Sequence, residues 1–567
     1  MLPSLPHDAT EFKSWSWVQI EPYYKDLLSR NLTEATCSQW LADWSHLAKL
    51  VDETYWRLYV ANTIDTTDVQ AEGRYTTFID KIQPHCREAD QKVKEKLLSS
   101  RLSPAGYEIP LRNLRAQAAL YRESNLPLLA EDKKLSMEYD RIVGAQSVMW
   151  EGQELTIPQL SPVYQEIDRE KRERAWRLAA GRQLADREAI CDLWGRMLML
   201  RSRIAQNADL PDYRAYRWSE LLRFDYTKED CHRFHQAIEQ VVVPAVRAVY
   251  EKRRQRLSLK SLRPWDLDVD PFSRPPLRPY QTIDELESKT SAIFHQVDPQ
   301  LGEYFTRMRG EKLLDLDNHK GKAPGAYCTA YEAAEVPFIV MNAVGLHDDV
   351  QTLLHEGGHA FHVFECVHLA HQQMEVPLEF CEVASMGMEL LAAPYLSTDK
   401  GGFYTPQEAA RARIETLESN LRFWPYMAVV DAFQQWVYDN PTQASDPANC
   451  DSQWAEQWDR FMVGVDWSGL EQEKITGWQR KPHIHTDPMY YVEYGLAQLG
   501  AVQVWRNALR DQAGAVAAYR QALSLGGMVT VPQMFAAAGA RFAFDEEILG
   551  QAVDLMVKTI SELEHLT

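Results

Sequence analysis

Apolar residues recur every three to four positions through most of the chain, a period that predicts amphipathic helices. Between about residues 12 and 210 the pattern reads as a run of helices, among them Trp40–Ile64, Arg87–Leu102 and the heavily charged Gln165–Ala205. Prolines 84, 104, 110 and 127 punctuate the run. The mixed-sign stretch Asp168–Arg174 reads as a solvated helix face. A further helix is predicted over Cys231–Leu257, followed by a Pro-rich segment, Arg263–Pro279. That segment carries Trp265, Phe272 and Leu277, which want burial, so it reads as an ordered crossing within a domain and not as a linker.

The period changes once. Across Gly325–Val344, Tyr327, Cys328, Thr329 and Tyr331 are strand formers, Ala333-Ala334-Glu335 supplies a turn, and Val336–Val340 is strongly β-prone. Helical spacing resumes over Asp348–Val363 and dominates from Val376 to Thr567. The pattern predicts a mainly α protein with a small β-sheet next to one particular helix, and at 567 residues more than one lobe. The division expected is an N-terminal helical lobe over 1–205 and a catalytic part over 206–567.

Charge and cysteine usage narrow the function classes. The net charge is −20 and the pI near 5.3, against the basic footprint that nucleic-acid binding requires. The eight cysteines form no C-x-x-C pair and fit free thiols in a reducing compartment. The first residues lack the pattern of a signal peptide, and the apolar stretch Val336–Leu346 falls short of a membrane span. The expectation is a cytoplasmic protein with neither nucleic acid nor membrane among its partners; oligomeric state is left open.

The segment after the strands carries the chemistry. In His355-Glu356-Gly357-Gly358-His359 the two histidines are four apart, on one face of a helix, where both can offer a ring nitrogen to one ion. Zinc in catalytic sites takes three protein ligands and a water, and Glu356 beside the first ligand is placed to take a proton from that water. With 16 histidines in the chain, random placement gives this pattern only about a few hundredths of a time. Two glycines inside a helix cost about 1 kcal/mol each relative to alanine, and they make sense where another backbone or a substrate must come close.

The third ligand is less determined. A histidine at 365 behind a glycine at 362 would mark one zinc-peptidase subclass, but the chain has His362 and Glu365. His362 reads as a residue that packs behind or supports the ligands. The remaining option is a carboxylate from the following helix, and Glu375, Glu379, Glu382 and Glu389 are all candidates. Glu382 and Glu389 lie seven apart on one face, so one can ligate while the other orients a histidine. Spacing alone does not choose.

An ordered series of segments resembles the thimet oligopeptidase and oligoendopeptidase F family of zinc peptidases, and is closer to the oligoendopeptidase F branch. They are PGAYCTAY (324–331), PFIVMN (337–342), DDVQTLLHEGGHAFH (348–362), EFCEVASMGMELL (379–391) and HIHTDPMYYVEYGLAQ (483–498). The resemblance implies a two-lobed helical clamshell around a deep central channel. It implies one zinc ion per chain on His355, His359 and Glu382, with Glu389 supporting a histidine. His483, Tyr491 and Tyr494 are implied as donors to the oxyanion of a tetrahedral intermediate. His485 also precedes the tyrosines, and the offset to the tyrosine pair favours His483. The strand offers a peptide-binding edge, with Gly325 and Ala326 permitting close approach and Tyr327 beside them. The activity implied is endopeptidase cleavage of short unstructured peptides by a Glu356-activated water. A peptidyl-dipeptidase or carboxypeptidase is the alternative within the class, and a catalytically silent, metal-stabilised peptide-binding protein the alternative outside it.

Overall fold

A computed structural model describes residues 3–567, and 69% of the chain is helical. Five short strands complete it. β1 (Ser147–Trp150) and β2 (Gln153–Thr156) form a hairpin; β3 (Leu314–Asp317), β4 (Tyr327–Tyr331) and β5 (Val336–Ala343) form a sheet in the order β3-β5-β4. The β4–β5 pair is antiparallel, with Thr329 opposite Phe338, and β3 runs parallel to β5. β4 is therefore an edge strand. The hairpin and β3 were not legible in the apolar pattern: each is four residues long, too short to establish a period.

The sheet leads directly into the helix His347–Cys366. Asp349 fixes its start, accepting hydrogen bonds from the amides of Leu346 (2.7 Å) and Val344 (2.9 Å), while the Tyr280 hydroxyl bonds the same carboxylate. The next long helix, Leu378–Ala392, packs across it so closely that a Cβ on Gly358 would stand 2.4 Å from the Ala384 carbonyl oxygen and 2.6 Å from Ser385 Cα. A Cβ on Gly357 would stand 2.5 Å from Cζ of Phe294. Helix Val492–Ala508 packs along the other side of Leu378–Ala392. Leu378–Ala392 thus packs against both other helices, and β4 packs on His347–Cys366.

Four expectations need correction. The predicted helix Gln165–Ala205 is two, Arg169–Ala185 and Arg187–Asn207. Cys231–Leu257 is also interrupted: a π turn over Ile238–Val242 separates Lys228–Ala237 from Val243–Arg256. Pro244 has no N–H to offer the preceding turn, and the wider turn absorbs the mismatch. The charge run Asp168–Arg174 is more than a solvated face. Arg172 is 2% exposed, and with Arg169 it grips the fully buried Asp266 at 2.8–3.1 Å, which ties down the Pro-rich crossing. Within that crossing Trp265 and Leu277 are buried, but Phe272 stays 51% exposed under Arg256 and Arg274.

The largest apolar core is continuous across residue 205, joining Trp194, Leu198 and Ile204 to Trp424, Met427 and Leu496. A second core lies under the sheet and the helix His347–Cys366; a third belongs to the first N-terminal helices. Among the described residues no helix is long and apolar enough to cross a membrane.

Candidate active site

His355 and His359 project from one face of their helix, their rings 5.0 Å apart. Glu382, from the crossing helix, comes between them: its Oε2 is 3.4 Å from His355 Nε2 and 3.8 Å from His359 Nε2. Among the described residues these three form the one cluster of His, Cys, Asp and Glu donors able to share an ion, with donor atoms all within 4.8 Å of one another. Ligands bound to zinc at about 2.0–2.2 Å in tetrahedral array sit about 3.3 Å apart. The observed spacings, and an N, N, O donor set that leaves one position open, fit that ion.

Supporting contacts orient the donors. Glu389 Oε1 is 2.7 Å from His355 Nδ1, which leaves Nε2 of the same ring facing Glu382. Ser385 Oγ donates to Glu382 Oε2 at 3.0 Å. The electrostatics are tightly bound together. Burial opposes charging His355, but Glu382 and Glu389 on either side outweigh it and push its pKa well above normal. Burial alone would raise Glu382, yet His355 and His359 bring it down to about 2. His359 is held down at about 4 by burial.

Glu356 is buried on the flank of this cluster beside Cys328 of β4. Burial raises its carboxyl to about 7, with the Glu382 and Glu389 charges adding to the shift against His355. A carboxyl near neutrality can both take and return a proton at physiological pH. His362, one turn beyond His359, is buried near Phe380, and its Nε2 has no hydrogen-bond partner; it packs and bonds no ligand residue.

The tyrosine segment comes near Glu382, whose charge acts on Tyr490 and Tyr494. His483, in the short helix Pro482–His485, has its ring 5.0 Å from that of Tyr491 and 5.9 Å from that of Tyr494. Its neighbour His485 is fully buried, stacked 4.2 Å from Tyr139 among Trp194 and Trp478. Of the two histidines, His483 is the one against the tyrosines. Tyr494 feels the Glu382 charge, which adds to burial in raising it to about 12. Tyr490 feels the same charge, and its ring lies 5.1 Å from Tyr494. The sequence does not single out Tyr490, although its spacing of four from Tyr494 was a signal available. Tyr491 is 6% exposed, packed between Phe423 and Tyr426, with the Lys481 ammonium 3.9 Å over its ring. Lys481 has no sequence signal of its own.

The three strand-entry positions have separate surroundings. Gly325 precedes β4 at φ +100°, with its carbonyl accepting from Asn342, so a turn explains the glycine. Ala326 packs on the core beneath the sheet, and the Tyr327 hydroxyl meets that of Thr63 at 2.5 Å.

Comparison with known proteins gives the family. The model of peptidase family M3 matches residues 163–553, and that of the peptidase M3 N-terminal domain matches residues 9–106. The chain belongs to peptidase family M3. Both the donor cluster and the tyrosine segment lie inside the longer M3 match. The chain is 22% identical over 312 residues to an oligoendopeptidase F homolog of Mycoplasma pneumoniae, a match over 52% of this chain and 50% of that protein. It thus spans about half the length of that curated relative. The solved structure of PZ peptidase A with inhibitor 2 superposes on this M3 chain with a TM-score of 0.87 at 25% identity, covering 98% of this chain and 100% of that one. Oligoendopeptidase F from Enterococcus faecium shares the fold at a TM-score of 0.62 and 14% identity, over 97% of this chain and 98% of that one.

Proposed function

We propose that this M3 peptidase is a zinc-dependent endopeptidase that hydrolyses internal bonds of short unstructured peptides. The observation that carries the reading is the convergence of His355 Nε2, His359 Nε2 and Glu382 Oε2 beside the buried carboxyl of Glu356. His355, His359 and Glu382 would hold a zinc ion, which when bound would supply Lewis acidity and lower the pKa of a water at the open position. Glu356 takes the proton of the attacking water and later delivers it to the leaving amine. Tyr494 and His483, with Tyr491 or Tyr490, donate hydrogen bonds to the developing oxyanion; one such donor is worth about 3–4 kcal/mol. Glu389 holds His355 in the tautomer that presents Nε2. The edge of β4, with Gly325, Ala326 and Tyr327 at its entrance, holds the peptide backbone.

A channel that admits only flexible chains belongs to the same proposal. Eight free cysteines support a reducing, cytoplasmic setting. Glu356→Gln is the test: zinc stoichiometry should stay at one per chain while turnover of an internally quenched peptide collapses. Retained turnover would sink the mechanism. Peptides blocked at both ends separate endopeptidase action, which they permit, from peptidyl-dipeptidase or carboxypeptidase action, which they prevent.

A further inference from the structure

Two adjoining cavities, of about 400 and 250 Å³, share Asp90 and His371 as lining residues. They lie where the N-terminal helix Glu34–Ile64 meets the far end of β4, since Glu332, which lines the smaller cavity, directly follows Tyr331. Carboxylates outnumber their partners. Asp90 pairs with Lys94 at 3.2 Å and Glu332 with His371 at 2.7 Å. Glu375 receives the Gln117 amide at 2.9 Å, and the Lys94 and His371 charges act on it. Asp52, lining the larger cavity, makes no hydrogen bond or ion pair among the described residues, and Arg87 at the solvent-exposed rim pairs with neither cavity's acids. The second observation is independent of charge. Gln372 is 8% exposed, lines the smaller cavity, and leaves both its amide nitrogen and its amide oxygen without a partner. A buried amide with both ends free is costly unless something polar enters.

The position along the strand gives these cavities a meaning. Cys328 of β4 lies against Glu356. At about 3.3 Å per residue, Glu332 is about 13 Å farther along the strand, the length of about four extended residues. A stripe of half-buried aromatic rings follows the same path. Tyr327 at the start of β4 stands 5.7 Å from Tyr59, Tyr59 stands 6.0 Å from Tyr55, and Tyr55 with Trp56 lines the larger cavity beside Asp52.

We infer that these joined cavities bind a cationic group of the peptide substrate, its free amino terminus or a basic side chain, about four residues before the bond to be cut. The inference rests on the peptidase reading above. An ammonium group in the larger cavity satisfies Asp52 beside the Tyr55 and Trp56 faces, which favour a cation, while the unpartnered Gln372 amide lines the adjoining cavity. Where the charge is the free amino terminus, the site also sets direction: the peptide runs antiparallel to β4.

Three labelled peptides identical across the cleaved bond test this: one with a free amino terminus four residues upstream, one acetylated there, and one acetylated with lysine at that position. Dissociation constants by fluorescence anisotropy and kcat/KM by hydrolysis are measured for the native protein and for Asp52→Asn. The native protein should favour the free-amine or the lysine peptide over the acetylated neutral one by about ten-fold in both measures, and which of the two leads tells terminus from side chain. In Asp52→Asn that ratio should fall to near one. Equal binding of all three peptides by the native protein, or an equal loss on all three in the variant, overturns the inference. If none is hydrolysed but the binding order holds, the peptidase reading fails and the cation site stands.

Discussion

Arg223 and Glu493 meet wholly out of solvent, with the guanidinium Nε at 2.9 Å and Nη2 at 2.5 Å from one carboxylate oxygen. Nη2 also donates to the Met489 carbonyl. Met489 is fully buried at φ +67°, a conformation costly for a residue with a side chain, and Gln434 holds its amide at 2.8 Å. Glu493 lies between Tyr491 and Tyr494, and the charge of Glu379, one turn before Glu382, also acts on Arg223. One buried cation thus links the tyrosine segment to the helix of the third ligand.

Replacing that cation should therefore cost both stability and rate. Arg223→Met leaves Glu493 buried without a partner and should lower unfolding stability by about 3–5 kcal/mol, with Glu493→Gln in the same chain recovering much of it. Arg223→Lys keeps charge but cannot fork to both Glu493 and Met489. Its kcat should fall about ten-fold or more through misplaced donors, with zinc content unchanged. Urea denaturation and metal analysis check the two parts, and an Arg223→Lys protein with native kcat would contradict the placement argument.

The two glycines of the ligand helix should behave differently on substitution by alanine. At Gly358 the new Cβ meets backbone, Ala384 O and Ser385 Cα, which can only give by moving the helix that carries Glu382. At Gly357 it meets the edge of the Phe294 ring, a side chain and not backbone. Gly358→Ala should lose about 1–3 kcal/mol from overpacking and weaken zinc binding. Gly357→Ala should stay within about 1 kcal/mol of the native protein, because helix propensity gained offsets the ring's shift. Thermal unfolding with and without added zinc compares them; equal losses would refute the distinction between backbone and ring.

How much of this was legible in the sequence depends on the range of each contact. His355, Glu356 and His359 are set by one turn of one helix, and the double glycine announced a close backbone, which at Gly358 is that of Ala384 and Ser385. Glu382 was visible only through the family's motif, since four glutamates shared its region and the choice depends on how two helices cross. Asp266 lies 94 residues from Arg172, and no local period announces such a pair. The exposed Phe272 misled for a related reason: apolarity states a preference, and the arginines that cover this ring are 16 and two residues away. Tyr490 was passed over because three tyrosines within five positions fit packing and donation equally well.

His483 and His485 offer a direct contrast two residues apart. His483→Ala removes a ring set against Tyr491 and Tyr494 and should lower kcat by about 10²–10³-fold, with KM and stability little changed. His485→Ala empties a site enclosed by Tyr139, Trp194 and Trp478 and should lower stability by about 2–4 kcal/mol, with kcat retained in the protein that remains folded. Steady-state kinetics and thermal melts on both variants check this, and a larger kcat loss at His485 would reverse the assignment.

The cluster around Asp52 should make stability depend on pH in a defined window. Burial, and then the Glu332 charge and more weakly that of Glu53, hold the Asp52 carboxyl at about 7 against the pull of His371. Burial lowers His371, but Glu332, Asp52 and Asp90 outweigh it and raise the imidazole to about 9. Both groups bind their proton more tightly folded than unfolded, so both contribute stability that is complete at low pH and lost as pH rises. For Asp52 the loss runs from about pH 4, where the unfolded carboxyl ionises, up to about 7; for His371 it runs from about 6.5 up to about 9. Asp52→Asn removes the first step only. Its stability should exceed that of the native protein at pH 8 by on the order of 2–4 kcal/mol and approach it near pH 4, while the decline between pH 7 and 9 persists. Urea unfolding of both proteins across pH 4–9 gives the comparison. Parallel curves would mean that Asp52 ionises normally in the folded chain, and the uncompensated carboxylate inferred from its lack of partners would have to be withdrawn.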